Sequence, residues 1–299
     1  MVRAFVSIVS LAVLGVAAFG CAAGNSDGEG VGGSGTGGSG PGSTTSSSSG
    51  DGGGFQTTSA GGGEPVGEPV VYGHSRDTLY RLNAETKDVG VVGPFVGCGD
   101  PVRVEDIALD GDSNLYGTSE SGLYRIDTNT ATCTLIAAGA YPNSLSFVPK
   151  GTVDPDEEAL VGYLEDVYVR INTSTGMITN IGSLGSATLI SSGDIVSVKN
   201  GPTYLTVKDR DQNATSCRDC LVRVNPATGA LVEGYGPIGF DKVFGTAFWA
   251  GSVYGFTSDG ELFEIEIVNG DLVTTPISTP SGLSFWGAGS TTSAPPVPQ

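Results

Sequence analysis

A five-fold internal repeat limits what this chain can become. Its clearest unit spans residues 106–136, DIALDGDSNLYGTSESGLYRIDTNTATCTLI, and variants of it run to the end of the sequence. The most recognisable segment recurs as Leu79-Tyr80-Arg81-Leu82-Asn83, Leu123-Tyr124-Arg125-Ile126-Asp127, Tyr168-Val169-Arg170-Ile171-Asn172, Leu221-Val222-Arg223-Val224-Asn225 and Leu262-Phe263-Glu264-Ile265. Its central positions, Arg81, Arg125, Arg170, Arg223 and Glu264, lie 44, 45, 53 and 41 residues apart. Large apolar groups alternate with polar ones at period two, which is a strand pattern, and a fixed period of this size points to repeated supersecondary units. After each of the first four comes an Asn or Asp, then Thr or Thr-Gly, as in Asn172 to Gly176 and Asn225 to Gly229. An Asx side chain bonds the backbone just ahead of it and Gly accepts a positive φ, so these are hairpin turns.

Two further strands precede that segment in each copy. One is short: Val71-Tyr72-Gly73, Leu115-Tyr116-Gly117, Leu160-Val161-Gly162, Tyr204-Leu205 and Val253-Tyr254-Gly255. The other carries small residues suited to a crowded centre: Ile107-Ala108-Leu109, Leu145-Ser146-Phe147, Ile195-Val196-Ser197-Val198 and Thr246-Ala247-Phe248-Trp249. The first copy lacks this innermost strand, and Leu283-Ser284-Phe285-Trp286 is the expected replacement. A blade assembled from both ends of the chain closes a ring and leaves no open sheet edge. The expected fold is all-β: a five-bladed β-propeller of four-stranded antiparallel blades over residues 70–290. Insertions at 149–158 and 208–218 enlarge the third and fourth blades, and the Pro-bearing tail 291–299 is expected to be loose.

Upstream of the repeats the chain carries an address. Residues 1–20 hold one positive charge, Arg3, and then an apolar run, which is the pattern of a secretion signal. Ala18-Phe19-Gly20-Cys21 resembles the bacterial lipoprotein processing site, with Ala18 where Leu is commonest and Phe19 bulkier than usual, and Cys21 would become the lipidated N-terminus. Ordinary cleavage after Gly20 and an uncleaved anchor are the alternatives, and all three export the chain. The expected location is the bacterial outer membrane or cell surface, with the membrane reached through the lipid. Residues 21–69 are nearly all Gly, Ser and Thr. Such a segment buries too little apolar surface to offset its chain entropy, and reads as a disordered tether with a reach on the order of 40 Å.

Composition excludes several functions. The chain has 32 acids against 14 bases, a formal charge of −18. That field repels nucleic acid. The single histidine, His74, sits in Gly73-His74-Ser75-Arg76-Asp77, where neighbouring side chains cannot converge as a catalytic triad, and a surface loop is expected there. Besides Cys21 there are four cysteines, an even number in an exported chain, which suggests disulfides. The preferred pairing is Cys98–Cys133, which brackets one blade, and Cys217–Cys220, within one inserted loop. A redox role for the Cys217-Arg218-Asp219-Cys220 stretch lacks the surrounding βαβ pattern.

Three sets of residues are candidates for a site. Asp110, Asp112 and Asn114, and likewise Asp209, Asp211 and Asn213, alternate in a way that can aim three oxygens at a Ca²⁺ ion, though Gly is missing at the sixth position and Glu at the twelfth. Turn formation is the competing reading. At the start of the innermost strands the aligned residues are Asp106, Ser144, Asp194, Gly245 and Gly282, with Glu105 and Asn143 one position earlier. Asp106, Asp194 and Glu105 form a candidate divalent-metal or acid–base set at the mouth of the central channel. The structural alternative is that they cap strand ends in solvent. No other cofactor is expected.

Tandem blades bearing Leu-Tyr-x-Ile-Asp-x-x-Thr-Gly and then Thr-x-Ile-Gly, as across residues 169–182, resemble the YncE/quinoprotein-like group of bacterial propellers. The resemblance covers about residues 70–286 and implies fold far more than function. Quinone enzymes of that kind carry Trp docking repeats, whereas only Trp249 and Trp286 occur here. Related lactonases use an inner Glu/Asn/Asp metal set, the residue types of Glu105, Asn143 and Asp194. The expected function is a non-catalytic, membrane-tethered monomer that binds a protein or glycan at the cell envelope; the alternative is a metal-dependent hydrolase or lactonase with its site at the channel mouth.

Overall fold

A computed structural model describes residues 70–298, and within them every regular element is a strand. The expected signal, lipidation site and tether, residues 1–69, lie outside the described residues. The strands form five four-stranded antiparallel sheets. Blade 1 takes β1 (Val70–His74), β2 (Thr78–Asn83) and β3 (Val89–Pro94); blade 2 takes β4 (Val104–Leu109), β5 (Leu115–Ser119), β6 (Gly122–Ile126) and β7 (Cys133–Ala138). Blade 3 takes β8 (Leu145–Val148), β9 (Ala159–Leu164), β10 (Val167–Ile171) and β11 (Ile178–Ser183). Blade 4 takes β12 (Leu189–Ser197), β13 (Thr203–Asp209), β14 (Cys220–Val224) and β15 (Leu231–Pro237). Blade 5 takes β16 (Val243–Trp249), β17 (Ser252–Thr257), β18 (Leu262–Val268) and β19 (Asp271–Ile277), and β20 (Gly287–Gly289) returns to complete blade 1. This is the five-bladed β-propeller that the repeat demands.

The turn chemistry is as expected. Asn83 Oδ1 accepts from the N–H groups of Glu85 and Thr86, Asp127 Oδ1 from those of Asn129 and Thr130, and Asn172 Oδ1 from those of Ser174 and Thr175. The left-handed residue that follows is Gly176 in blade 3 and Gly229 in blade 4, but Lys87 and Ala131 in blades 1 and 2. Blade 5 instead closes its outer hairpin with Asn269-Gly270, both at positive φ, the pair that a two-residue turn favours.

The closing strand departs from expectation. Leu283-Ser284-Phe285-Trp286 is not the ladder strand: Trp286 N donates to His74 O at 2.6 Å, and the next three residues pair along β1, with Gly287 opposite His74, Ala288 opposite Gly73 and Gly289 opposite Tyr72. The residue equivalent to Asp106 is therefore Gly287, not Gly282. Size at the axis is the physical reason. A β-carbon on Gly245 would stand 2.6 Å from the carbonyl carbon of Gly287, so the inner strands of blades 5 and 1 meet backbone to backbone. Phe285 serves as an anchor between blades, fully buried, edge-on to Tyr80 and Phe256 at centroid distances of 5.7 and 5.2 Å.

The tail is also unlike its expected loose form. Ser290, Thr291, Thr292 and Ala294 are buried. Thr291 Oγ1 donates to Asp110 O at 2.8 Å, Thr292 Oγ1 donates to Glu158 at 2.5 Å, and Thr292 O accepts from Lys199 N at 2.8 Å. The segment thus touches blades 2, 3 and 4 at the channel end opposite the starts of the inner strands. Short Thr and Ser side chains there reach backbone groups that the strands leave free.

Candidate functional site

The candidate site divides into a sealed ring and an open mouth. In the ring, Asp106 and Asp194 are fully buried. Each acid uses one oxygen on its own strand and one on the next blade. Asp106 Oδ1 accepts from Ile107 N at 2.8 Å and its Oδ2 from Leu145 N at 2.6 Å. Asp194 Oδ1 accepts from Ile195 N at 2.6 Å and its Oδ2 from Thr246 N at 2.6 Å. These carboxyls join blade 2 to blade 3 and blade 4 to blade 5. They cap backbone donors, as the structural alternative held, but in the interior and not in solvent.

The two acids also bond each other side chain to side chain. Burial pushes both well above the usual carboxylate range, and for Asp106 the neighbouring Asp194 charge adds to it. Two adjacent buried carboxylates do not both ionise, so the pair shares a proton. His74 lies beside them and is fully buried, contrary to the surface loop expected from its polar neighbours. β1 runs far enough for His74 to pair with both Leu79 and Gly287, which draws it inward. Its Nδ1 lies 2.7 Å from Ser75 O, which fixes the proton on Nδ1 and the lone pair on Nε2. Burial lowers its pKa to about 4, so its imidazole is neutral at physiological pH. A β-carbon on Gly287 would stand 2.4 Å from both His74 Nε2 and Asp106 Oδ1, so both atoms border the space that this glycine leaves free.

The mouth is built from the residues one position earlier. Glu105 and Phe244 are the extra residues of bulges in β4 and β16, and Gly193 lies in a longer irregularity of β12. A bulge re-aims a side chain without moving the strand. The result is a cavity of about 620 Å³ whose wall takes Glu105, Asn143, Gly193, Phe244 and Trp286, one from each blade. Tyr141 and the hairpin at 164–167, with Glu165 and Asp166, extend it on one side. Glu105 therefore faces a different space from Asp106 and Asp194, and the three expected together are split between mouth and ring. Among the described residues, no group of three or more His, Cys, Asp or Glu side chains is placed to hold a metal ion. Trp286 escaped the sequence reading because the slipped closing strand hid its place one residue before Gly287, and Phe244, one residue before the correctly aligned Gly245, was passed over because polar residues alone were sought there.

The calcium-like loops are occupied by their own hydrogen bonds. Asp110 Oδ1 accepts from Asp112 N and Asn114 N, and its Oδ2 from Asn114 Nδ2. Asp209 Oδ2 accepts from Cys217 N and Ser216 Oγ, while Asp211 Oδ1 accepts from Asn213 N. The bonds of Asp110 to Asp112 N and of Asp211 to Asn213 N are those of Asx turns, and those of Asp209 tie down the inserted loop. Cys98 bonds to Cys133 and Cys217 to Cys220, with Cα separations of 5.2 and 5.6 Å. The second bridge holds Asp219, whose Oδ2 accepts from Lys242 N at 2.7 Å two residues before Phe244.

No family model and no curated protein matches the chain. Among solved structures it is similar to a chain of a nidogen/laminin complex, at 12% identity and a TM-score of 0.46 over 74% of this chain and 97% of that one. It is similar to a protein of unknown function from Bacteroides caccae, at 15% identity and a TM-score of 0.38 over 73% and 77%. It is also similar to a gluconolactonase from Xanthomonas campestris, at 13% identity and a TM-score of 0.42 over 60% and 64%.

Proposed function

We propose that this chain is a non-catalytic binding module: an exported, lipid-anchored propeller, of the YncE-like kind, that seats a glycan or a group borne by a partner protein in its channel mouth. The observation that carries the reading is the separation of the two acidic sets. Asp106 and Asp194 are closed off from solvent and committed to backbone donors, whereas the concavity open to solvent offers aromatic rings, Asn143 and carboxylates. Such a surface binds by stacking and hydrogen bonding. A hydrolase built on Asp106, Asp194 and Glu105 needs all three to face one substrate atom.

Tryptophan emission tests this directly, because Trp249 is buried and Trp286 lines the mouth. A panel of glycans, amines and envelope peptides is expected to yield a saturable emission change that disappears in Trp286→Phe, with no turnover of a lactone panel. Steady lactone hydrolysis lost in Glu105→Gln would bring the enzymatic reading forward.

The tether is tested separately. Cys21→Ser is expected to move the protein from the membrane to the soluble fraction on cell fractionation; unchanged membrane association in that variant sinks the lipid anchor.

A further inference from the structure

We propose that the ligand of the mouth presents a positively charged amine or quaternary ammonium group, seated between the Glu105 carboxylate and the rings of Phe244 and Trp286. This rests on the mouth being the binding site. The charges around the rim carry the argument. Arg210 holds Asp166 at 2.7 Å and Glu165 at 3.5 Å. Arg103 holds Glu120 at 2.8 Å. The Arg76 guanidinium lies over the Trp286 ring, 3.6 Å from its centroid. Of the three acids that line the mouth, Glu105, Glu165 and Asp166, Glu105 is the one that makes no ion pair, and it stands on a half-buried wall. Burial first, and then the Glu120 charge, push its pKa up, with Arg103 only partly opposing them.

A cation placed here relieves both stresses on Glu105. It also meets aromatic faces, whose quadrupoles attract positive charge. Arg76 already occupies one such position on Trp286, so that ring accepts a cation in this setting. The hydroxyls of a neutral sugar can donate to Glu105 but do not balance its charge, whereas a cation does both, and an anion would be repelled.

The test uses Trp249→Phe as the background, so that emission comes from Trp286 alone. It is titrated with choline and with 3,3-dimethylbutan-1-ol, its uncharged isostere. Choline is expected to bind at least about tenfold more tightly than the alcohol, since one partly desolvated charge pair is worth that much or more. Adding Glu105→Gln is expected to bring the ratio near one without lowering the melting temperature, because Glu105 has no internal partner to lose. High salt is expected to weaken choline and not the alcohol. Equal binding of the two probes, or a preference for choline that survives Glu105→Gln, overturns the proposal while leaving the mouth reading intact. No Trp286 response to either probe or to a glycan panel overturns both.

Discussion

Truncation after Trp286 is expected to abolish the stable ring. The missing residues include all of β20, so Tyr72, Gly73 and His74 lose their ladder partners and β1 becomes an open edge. Buried Ala288, Ser290, Thr291, Thr292 and Ala294 go with it, as does the bond from Phe248 N to Ser290 Oγ at 2.9 Å. Each lost internal hydrogen bond is worth about 1 kcal/mol net, before any loss of apolar contact. The total reaches several kcal/mol, on the scale of the ~5–15 kcal/mol that holds a whole domain. Phe285 stays in the truncated chain, so the loss isolates the closing strand from its anchor. A shorter truncation after Ser290 keeps the strand and removes the cross-blade ties of Thr291, Thr292 and Ser293 together with buried Ala294. It is expected to fold with a lowered melting temperature. The measurement is thermal unfolding with light scattering on both truncations and the full chain. A Trp286 truncation that melts like the full chain shows that residues 287–289 do not close the ring.

The slip of the closing strand shows which parts of this molecule were legible in sequence. The blades announce themselves because period-two alternation and Asx turns are local, and Asn83, Asp127 and Asn172 make the bonds their spacing predicts. The disulfide pairing follows from the blade order. At the axis local propensity misleads. Leu283, Phe285 and Trp286 have the strand-forming side chains, yet β-propensity describes a pleated surface with room for them. Where a β-carbon on Gly245 would meet the Gly287 backbone at 2.6 Å, only Gly-Ala-Gly fits. His74 misled in a similar way, since polarity said surface while strand length put it inside. The division of Glu105 from Asp106 depends on a single bulge. A one-residue irregularity that decides which space a side chain enters leaves no trace in composition or spacing.

The buried ring is expected to give stability two opposing pH limbs. His74 titrates near 4 in the folded chain against 6.5 ordinarily, because burial disfavours its cation. The unfolded chain takes up a proton below pH 6.5 that the folded chain refuses. This contribution is full above pH 6.5 and is lost as pH falls towards 4, by about 3 kcal/mol at 1.36 kcal/mol per unit. The Asp106–Asp194 pair acts in the other direction. Its raised values mean that the folded chain keeps a proton which the unfolded chain releases near 3.8. That contribution is present below pH 3.8 and is lost as pH rises through the folded values. Between pH 4 and 6.5 the limbs oppose each other, so substitution has to separate them. His74→Thr copies Thr118 and Thr206, the equivalent residues of blades 2 and 4. Relative to wild type it is expected to gain about 3 kcal/mol as pH falls from 6.5 to 4. Asp106→Asn is expected to gain relative to wild type as pH rises. A cavity or a lost bond lowers the baseline of either variant without reversing these slopes. Urea unfolding from pH 4 to pH 9 measures the two difference curves. If both are flat, the ring groups keep the same protonation folded and unfolded, and the shared proton between Asp106 and Asp194 does not exist.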